Sequence, residues 1–203
     1  MRNNPFTTSR LQNGEALKLF LVVCTPVHFW AIFMALQDLE WIVGRTMFWD
    51  FIGYTAYVLL IALFESLLLT TAFLILALLL PTAWKEKINL AVLSAWAIAV
   101  LVAGILYQYY YFLDINKKTS NPYLLRFFDY VDYYDIWVLT AVMLTILSSA
   151  FLPVILFPRF PKLTSLMLDL VDRLSLLSTI FLMLDAIGLL LVIYRNLANL
   201  ILI

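Results

Sequence analysis

Residues 51–80 form a run of thirty amino acids in which Glu65 is the only charged side chain. A membrane-spanning helix needs about 20 consecutive, mostly apolar residues, and this run is longer than that. Hydrophobic residues make up 65% of the whole chain and charged residues 13%, whereas a soluble domain averages about 45–50% apolar and about 25% charged residues. The sequence therefore predicts an all-α, polytopic integral membrane helix bundle.

The apolar runs are separated by short charged segments, and each run is long enough to cross a bilayer. The first run lacks the small-residue cleavage pattern of a signal peptide, so we expect it to remain as a span. We predict a single membrane domain, residues 1–203, with about five spans at 19–36, 51–80, 88–112, 136–157 and 174–194.

Two further segments place apolar residues at helical spacing on one face and charged residues on the other. Residues 121–135 begin with Asn121 and Pro122, which suit an N-cap and a first helical position, and we expect an interfacial helix there. Residues 163–173 either form a second interfacial helix or extend the last span as one continuous helix. With eight Lys and Arg residues on one side and five on the other, we expect a cytoplasmic N-terminus and an external C-terminus.

Three ionisable residues, His28, Glu65 and Asp185, lie near the midpoints of the first, second and fifth predicted spans. An ionisable group is costly in hydrocarbon, and its partners at that depth are on other helices. We therefore predict one intramembrane polar cluster of these three side chains. Three roles are compatible with such a cluster: a proton or cation relay, a ligand site, or a set of hydrogen bonds that holds helices together.

Two other patterns suit contacts between helices or proteins. Four alanines at four-residue spacing predict a helix-packing ridge, either within the chain or between subunits. A tyrosine-rich region around residues 121–135 is typical of the membrane interface, and an outer docking patch is the alternative. The ridge comprises Ala91, Ala95, Ala99 and Ala103, and the candidate patch comprises Tyr123, Tyr130, Tyr133 and Tyr134.

Composition and motifs narrow the function. Zero net charge gives no electrostatic basis for a nucleic-acid partner. Cys24 and His28 are the only residues of their types, so we expect no intrachain disulfide, zinc cluster, iron–sulfur site or bis-histidine haem, and we assign no metal ligand. No nucleotide-binding loop or nucleophile motif is present, so we assign no catalytic residue and lean against an enzyme.

The sequence identifies no cofactor, although a lone imidazole can serve as an axial ligand. Partners are expected to be the bilayer and other membrane subunits. We expect a non-catalytic, multi-pass membrane protein that is a subunit or an accessory or assembly factor of a larger membrane complex. The first alternative is a small transporter or a proton- or cation-conducting protein that uses the polar cluster. The second is a membrane enzyme that acts on a lipid-linked substrate through Asp169, Asp172 and Arg173.

Overall fold

The computed structural model describes residues 13–37, 48–81, 83–108, 148 and 150–201, and within these ranges the regular structure is entirely helical. This confirms the all-α helix bundle. The helices in chain order are α1 (Asn13–Gln37), α2 (Phe48–Leu76), which continues into a short 3-10 helix (Ala77–Leu79), α3 (Glu86–Gln108), α4 (Ala150–Arg159) and α5 (Pro161–Ile201).

Four of the described helices are long and apolar enough to cross a membrane. They contain the segments Gly14–Leu36, Phe48–Leu79, Glu86–Leu106 and Pro161–Ala198. At 1.5 Å per residue each segment is at least about 30 Å long, which is the thickness of the hydrocarbon core. These four helices indicate a membrane protein.

The helix boundaries differ from the expected ones mainly at their beginnings. α1 and α2 begin at Asn13 and Phe48, before the apolar runs that we expected to define them. Residues 163–173 belong to α5, so the second of the two alternatives for this segment applies: it is continuous with the last span. Residues 121–135 and most of 136–157 lie outside the described residues, so the outer interfacial helix and the fourth span stay predictions.

Contacts between side chains define the directions of the helices. Lys18 contacts Asp172, and His28 contacts Asp185, so α1 and α5 run in the same direction. Asp50 contacts Arg195, and Gly188 lies against the backbone of Ala56, so α2 runs opposite to α5.

α3 follows α2 after a short turn and returns antiparallel to it. Trp30 near the end of α1 donates to Gln108 at the end of α3, in agreement with this direction. α3 and α5 therefore run the same way, and the end of α3 and the start of α5 lie at opposite ends of the bundle.

The core lies where α1 packs against α2, α3 and α5, while α5 also contacts α2 and α3. Leu19, Val22 and Val23 of α1 and Leu93 of α3 are fully buried within it. At its other edge, Trp96 of α3 donates to the carbonyl oxygen of Ala150 at 2.8 Å and joins α4 to the bundle. α2 and α3 each contact both α1 and α5, and so flank the interface between those two helices.

Candidate functional site

Among the acidic and basic side chains that the structure describes, His28 of α1 and Asp185 of α5 are buried. Nε2 of His28 lies 3.1 Å from Oδ1 and 3.0 Å from Oδ2 of Asp185. The His28 side chain is 0% exposed and that of Asp185 is 3% exposed. We call these two residues the His28–Asp185 pair.

The other ring nitrogen of His28 fixes the number of protons in the pair. Nδ1 lies 2.9 Å from the carbonyl oxygen of Cys24, which only accepts hydrogen bonds, so Nδ1 carries a proton and donates it. Between Nε2 and the carboxyl group one more proton is needed to make a hydrogen bond. Wherever that proton resides, on the imidazole or on the carboxyl group, the pair is neutral overall. A neutral hydrogen-bonded pair is the least costly way to keep these groups in hydrocarbon.

The walls of this site are apolar. Phe181, one helical turn before Asp185, stacks on the imidazole with a centroid distance of 5.4 Å and an interplanar angle of 25°. On the α1 side, Cys24 and Val27 are buried. Because both ring nitrogens are engaged and Phe181 lies against the ring, His28 has no free nitrogen for an axial ligand role in this arrangement.

A second polar contact joins the same helices, one turn from His28 on α1 and two turns from Asp185 on α5. The hydroxyl groups of Thr25 and Ser178 lie 2.6 Å apart, and both are buried. Thr25 also contacts the carbonyl oxygen of Leu174 at 3.0 Å, and Ser178 contacts the carbonyl oxygen of Leu21. Each hydroxyl therefore reaches across to the backbone of the opposite helix, which fixes the register between α1 and α5.

Two exposed ion pairs lie at the ends of this polar interface. At one end, Nζ of Lys18 is 2.6 Å from Oδ1 of Asp172. At the other end, Nη2 of Arg195 is 2.9 Å from Oδ1 of Asp50, and Nη1 donates to the carbonyl oxygen of Trp49 at 3.1 Å. Asp172 and Arg195 are 23 residues apart on α5, about 34 Å along the axis, close to the ~30 Å hydrocarbon thickness. The separation of the two pairs along α5 therefore matches the thickness of the hydrocarbon core.

Glu65 is not part of this site. Its side chain is exposed on the outer side of α2, and we find no hydrogen bond or ion pair between its carboxyl group and any residue that the structure describes. Along α2 it lies about 22 Å from Asp50, whereas Asp185 lies only about 15 Å along α5 from Arg195. Of the three predicted cluster residues, the structure brings His28 and Asp185 together and places Glu65 elsewhere.

The reason is the orientation of α2 about its own axis. Its buried residues recur every three or four positions and form one face that is rich in small side chains: Gly53, Ala56, Leu59, Ala62, Ser66, Thr70 and Phe73. At 100° per residue, Glu65 is about 100° from Ser66 around the helix and so lies at the exposed edge of this face. A small-residue face allows close helix packing. This packing, and not the single carboxyl group, determines which side of α2 faces the bundle.

The other predicted sites are placed as follows. In the ridge on α3, Ala91 is buried and Ala95 is half-buried, whereas Ala99 and Ala103 are exposed, so the packing within the chain uses only its first half. The tyrosine patch, Tyr123, Tyr130, Tyr133 and Tyr134, lies outside the described residues. Asp169, Asp172 and Arg173 are exposed on α5, where Asp172 pairs with Lys18. Across the described ranges, no group of three His, Cys, Asp or Glu side chains is placed to hold a metal ion.

Thr25 and Ser178 were not among the residues predicted to form the cluster. A signal for Ser178 is present in α5, where the buried residues Val171, Ser178 and Asp185 are each seven residues apart. This heptad spacing places them on one side of a helix that packs against another along its length. It would have identified Ser178 as an interface residue beside Asp185.

In comparisons with known proteins, no family model, curated protein or solved structure matches the chain. The class is therefore assigned from the fold and the site alone. The chain is a helical membrane protein in which a buried His–Asp pair and a buried Thr–Ser contact join two parallel helices.

Proposed function

We propose that this chain is a non-catalytic, multi-pass component of a larger membrane assembly, and that another polypeptide covers the outer side of α2. One observation carries the proposal: the carboxyl group of Glu65 lies well inside the span on an exposed, apolar helix surface. Exposing such a group to lipid would raise the free energy of the membrane-inserted protein by about 2–3 kcal/mol or more. A partner that supplies a hydrogen bond removes most of that cost.

The surroundings of Glu65 support this interpretation. Ile61, Phe64 and Leu68 beside it are 57%, 61% and 55% exposed. Most buried residues of α2 are small, with Leu59 and Phe73 as the exceptions, whereas many of its other large apolar side chains point outward. Large apolar side chains also suit a surface that faces lipid, so the feature that calls for a partner here is the carboxyl group of Glu65.

The inner polar groups support a scaffold role. His28, Asp185, Thr25 and Ser178 bond to one another or to backbone carbonyl groups across one helix interface. Such contacts hold two helices in register without any exposed atom for a substrate. The proposal includes the single membrane domain with a cytoplasmic N-terminus and an external C-terminus that the charge distribution favours.

Purification from native membranes in a mild detergent, followed by mass spectrometry of the copurifying chains, tests the proposal. We expect stoichiometric partners with the unaltered protein and their loss with Glu65→Leu. Thr179→Ala is the matched control, because Thr179 is also exposed and lies at a similar depth on α5 but bonds to its own helix at Leu176. A monodisperse lone chain, or equal retention of partners by the Glu65→Leu variant, would contradict the proposal.

A second candidate function, proton conduction, rests on the His28–Asp185 pair, whose shared proton sits between two groups of different helices. Ser178 is seven residues from Asp185, about 10 Å along the axis, so a direct hop between them is too long and a path would need water. Proton flux into liposomes, measured with a pH-sensitive dye, tests this candidate. Unchanged flux in Asp185→Asn, at equal reconstituted amounts, would exclude it.

A further inference from the structure

We infer that the second half of the helix-packing ridge on α3 is covered by residues 136–147 of this chain, which lie outside the described residues. This half consists of Ala99 and Ala103, and both are exposed to the residues that the structure describes. A Cβ atom built on Gly104 beside them would have nothing within 4 Å, so another helix can approach the backbone of α3 closely there. The inference goes beyond the proposed function, because its surface is separate from that of Glu65.

The relative levels of the helices along the bundle are the first observation. Trp30 near the end of α1 donates to Gln108 at the end of α3. Going back twelve residues along each helix reaches Lys18 on α1 and Trp96 on α3. Because α1 and α3 run the same way, Trp96 is level with Lys18 and with the partner of Lys18 on α5, Asp172.

The direction of α4 is the second observation. Ala150 accepts a hydrogen bond from Trp96 at 2.8 Å, so Ala150 also lies near the level of Asp172. Pro161 lies eleven residues before Asp172, and Arg159 lies nine residues after Ala150. At 1.5 Å per residue these lengths are about 17 and 14 Å, so α4 folds back along α5 and runs opposite to α3. The chain before Ala150 therefore points along the second half of α3.

The exposed half of the ridge continues the contact between α3 and α4 on the same side of α3. Ala99 and Ala103 follow Trp96 by three and seven residues. At 100° per residue, both lie within about 60° of Trp96 around the helix. A helix that extends α4 backwards from Ala150 therefore passes over these two alanines.

The length and composition of the segment fit this surface. Residues 136–158 contain no charged side chain, and the backbone of such a run in a bilayer is expected to be helical. Ser148, just before Ala150, is helical in the structure. Twelve helical residues before Ser148 would extend about 18 Å, the same length as α3 from Trp96 to Gln108.

The antiparallel arrangement defines which side chains are expected to meet. Counted from the hydrogen bond between α3 and α4, Ala99 is level with Leu147, and Ala103 is level with Met143. Leu147 and Met143 precede Ala150 by three and seven residues, so they share one side of a helix with it. Large side chains opposite small ones fill the space between two helices that approach closely.

Disulfide cross-linking of the full chain in native membranes tests the inference. In a Cys24→Ala background, the double variant Ala103→Cys, Met143→Cys joins two expected neighbours, and Val102→Cys, Met143→Cys is the matched control. Val102 is adjacent to Ala103, also exposed, and about 100° from it around α3. With a copper–phenanthroline oxidant and mass spectrometry of the linked peptides, we expect an intramolecular disulfide in most of the first variant and in little of the control.

A second measurement needs no cysteine. Ala103→Phe places a ring where the expected contact leaves no room, and should lower the concentration of denaturing detergent at the midpoint of unfolding. Val102→Phe is the control and should leave that midpoint unchanged.

The contrary results are distinct from one another. A disulfide-linked homodimer from Ala103→Cys alone would overturn the inference, because a second copy would then lie on the ridge. Equal disulfide formation in the two double variants, or none in either, would also overturn it, as would equal midpoints for the two phenylalanine variants. The partner at Glu65 is tested separately by native purification, so these results leave the proposed function standing.

Discussion

Two carboxyl groups within the membrane-spanning helices have opposite surroundings. Asp185 is 3% exposed and bonded to His28, inside an interface that Phe181 and the Thr25–Ser178 contact complete. Glu65 has neither burial nor a partner among the described residues. A chain can satisfy an intramembrane carboxyl group internally, by pairing helices, or externally, by recruiting another protein. In this molecule Asp185 is satisfied internally by His28, whereas the exposed Glu65 calls for a partner from another protein.

The largest effect is expected at the internal pair. Asp185→Ala leaves the buried imidazole of His28 without its partner, and the loss should be about 3 kcal/mol or more in the free energy of unfolding. The measurement is unfolding by a denaturing detergent in mixed micelles, with helicity as the signal. The double variant His28→Phe, Asp185→Leu should recover much of the loss, because it removes both polar groups together. A double variant as unstable as the sum of the two single changes would contradict the pairing.

A smaller effect is expected where α2 and α5 approach closely. A Cβ atom at Gly188 would lie 3.4 Å from the carbonyl oxygen and 3.7 Å from the Cβ of Ala56. Gly188→Leu therefore has to push the helices apart, and overpacking of this kind costs about 1–3 kcal/mol. Gly188→Ala is the control and should be tolerated with a small loss. The same unfolding assay applies, and equal stability of the two variants would show that the helices do not approach in this way.

The hydroxyl contact should contribute less than the ionisable pair. Thr25→Val removes one hydroxyl group while preserving side-chain shape, and leaves Ser178 with its bond to the carbonyl group of Leu21. We expect a loss of about 1 kcal/mol, the usual contribution of a hydrogen bond between membrane helices. Thr71→Val is the control, since Thr71 is exposed on α2 and bonds only to its own helix at Leu67. Equal losses in the two variants would argue against an interhelical role for Thr25.

The smallest effect on the isolated chain is expected at Glu65. Glu65→Leu removes a carboxyl group that has no partner among the described residues, so the free energy of unfolding of the monomer should change by less than about 0.5 kcal/mol. The oligomeric mass of the same sample, measured by light scattering, should fall with this variant. A large destabilisation of the monomer would mean that the chain itself satisfies Glu65.

The sequence allowed the helical class to be predicted, and it predicted that His28 and Asp185 share one intramembrane cluster with Glu65. A nearly uncharged run has to be helical in a bilayer, and a mid-span ionisable group needs a partner at its own depth. The position of Glu65 was not predictable in the same way. Depth follows from counting residues, but the rotation of a uniformly apolar helix about its axis depends on which side packs best. On α2 the small side chains Gly53, Ala56 and Ala62 decide it.

Labelling with a hydrophobic carbodiimide, which forms a stable adduct with protonated carboxyl groups in membranes, compares Asp185 and Glu65 directly. Mass spectrometry of the full chain would locate the adducts, first in native membranes and then after dissociation to the monomer in detergent. We predict that Asp185 stays unlabelled in both samples and that Glu65 is protected in membranes and labelled in the monomer. Labelling of Glu65 in native membranes, or its protection in the isolated monomer, would contradict the claim that another chain covers it.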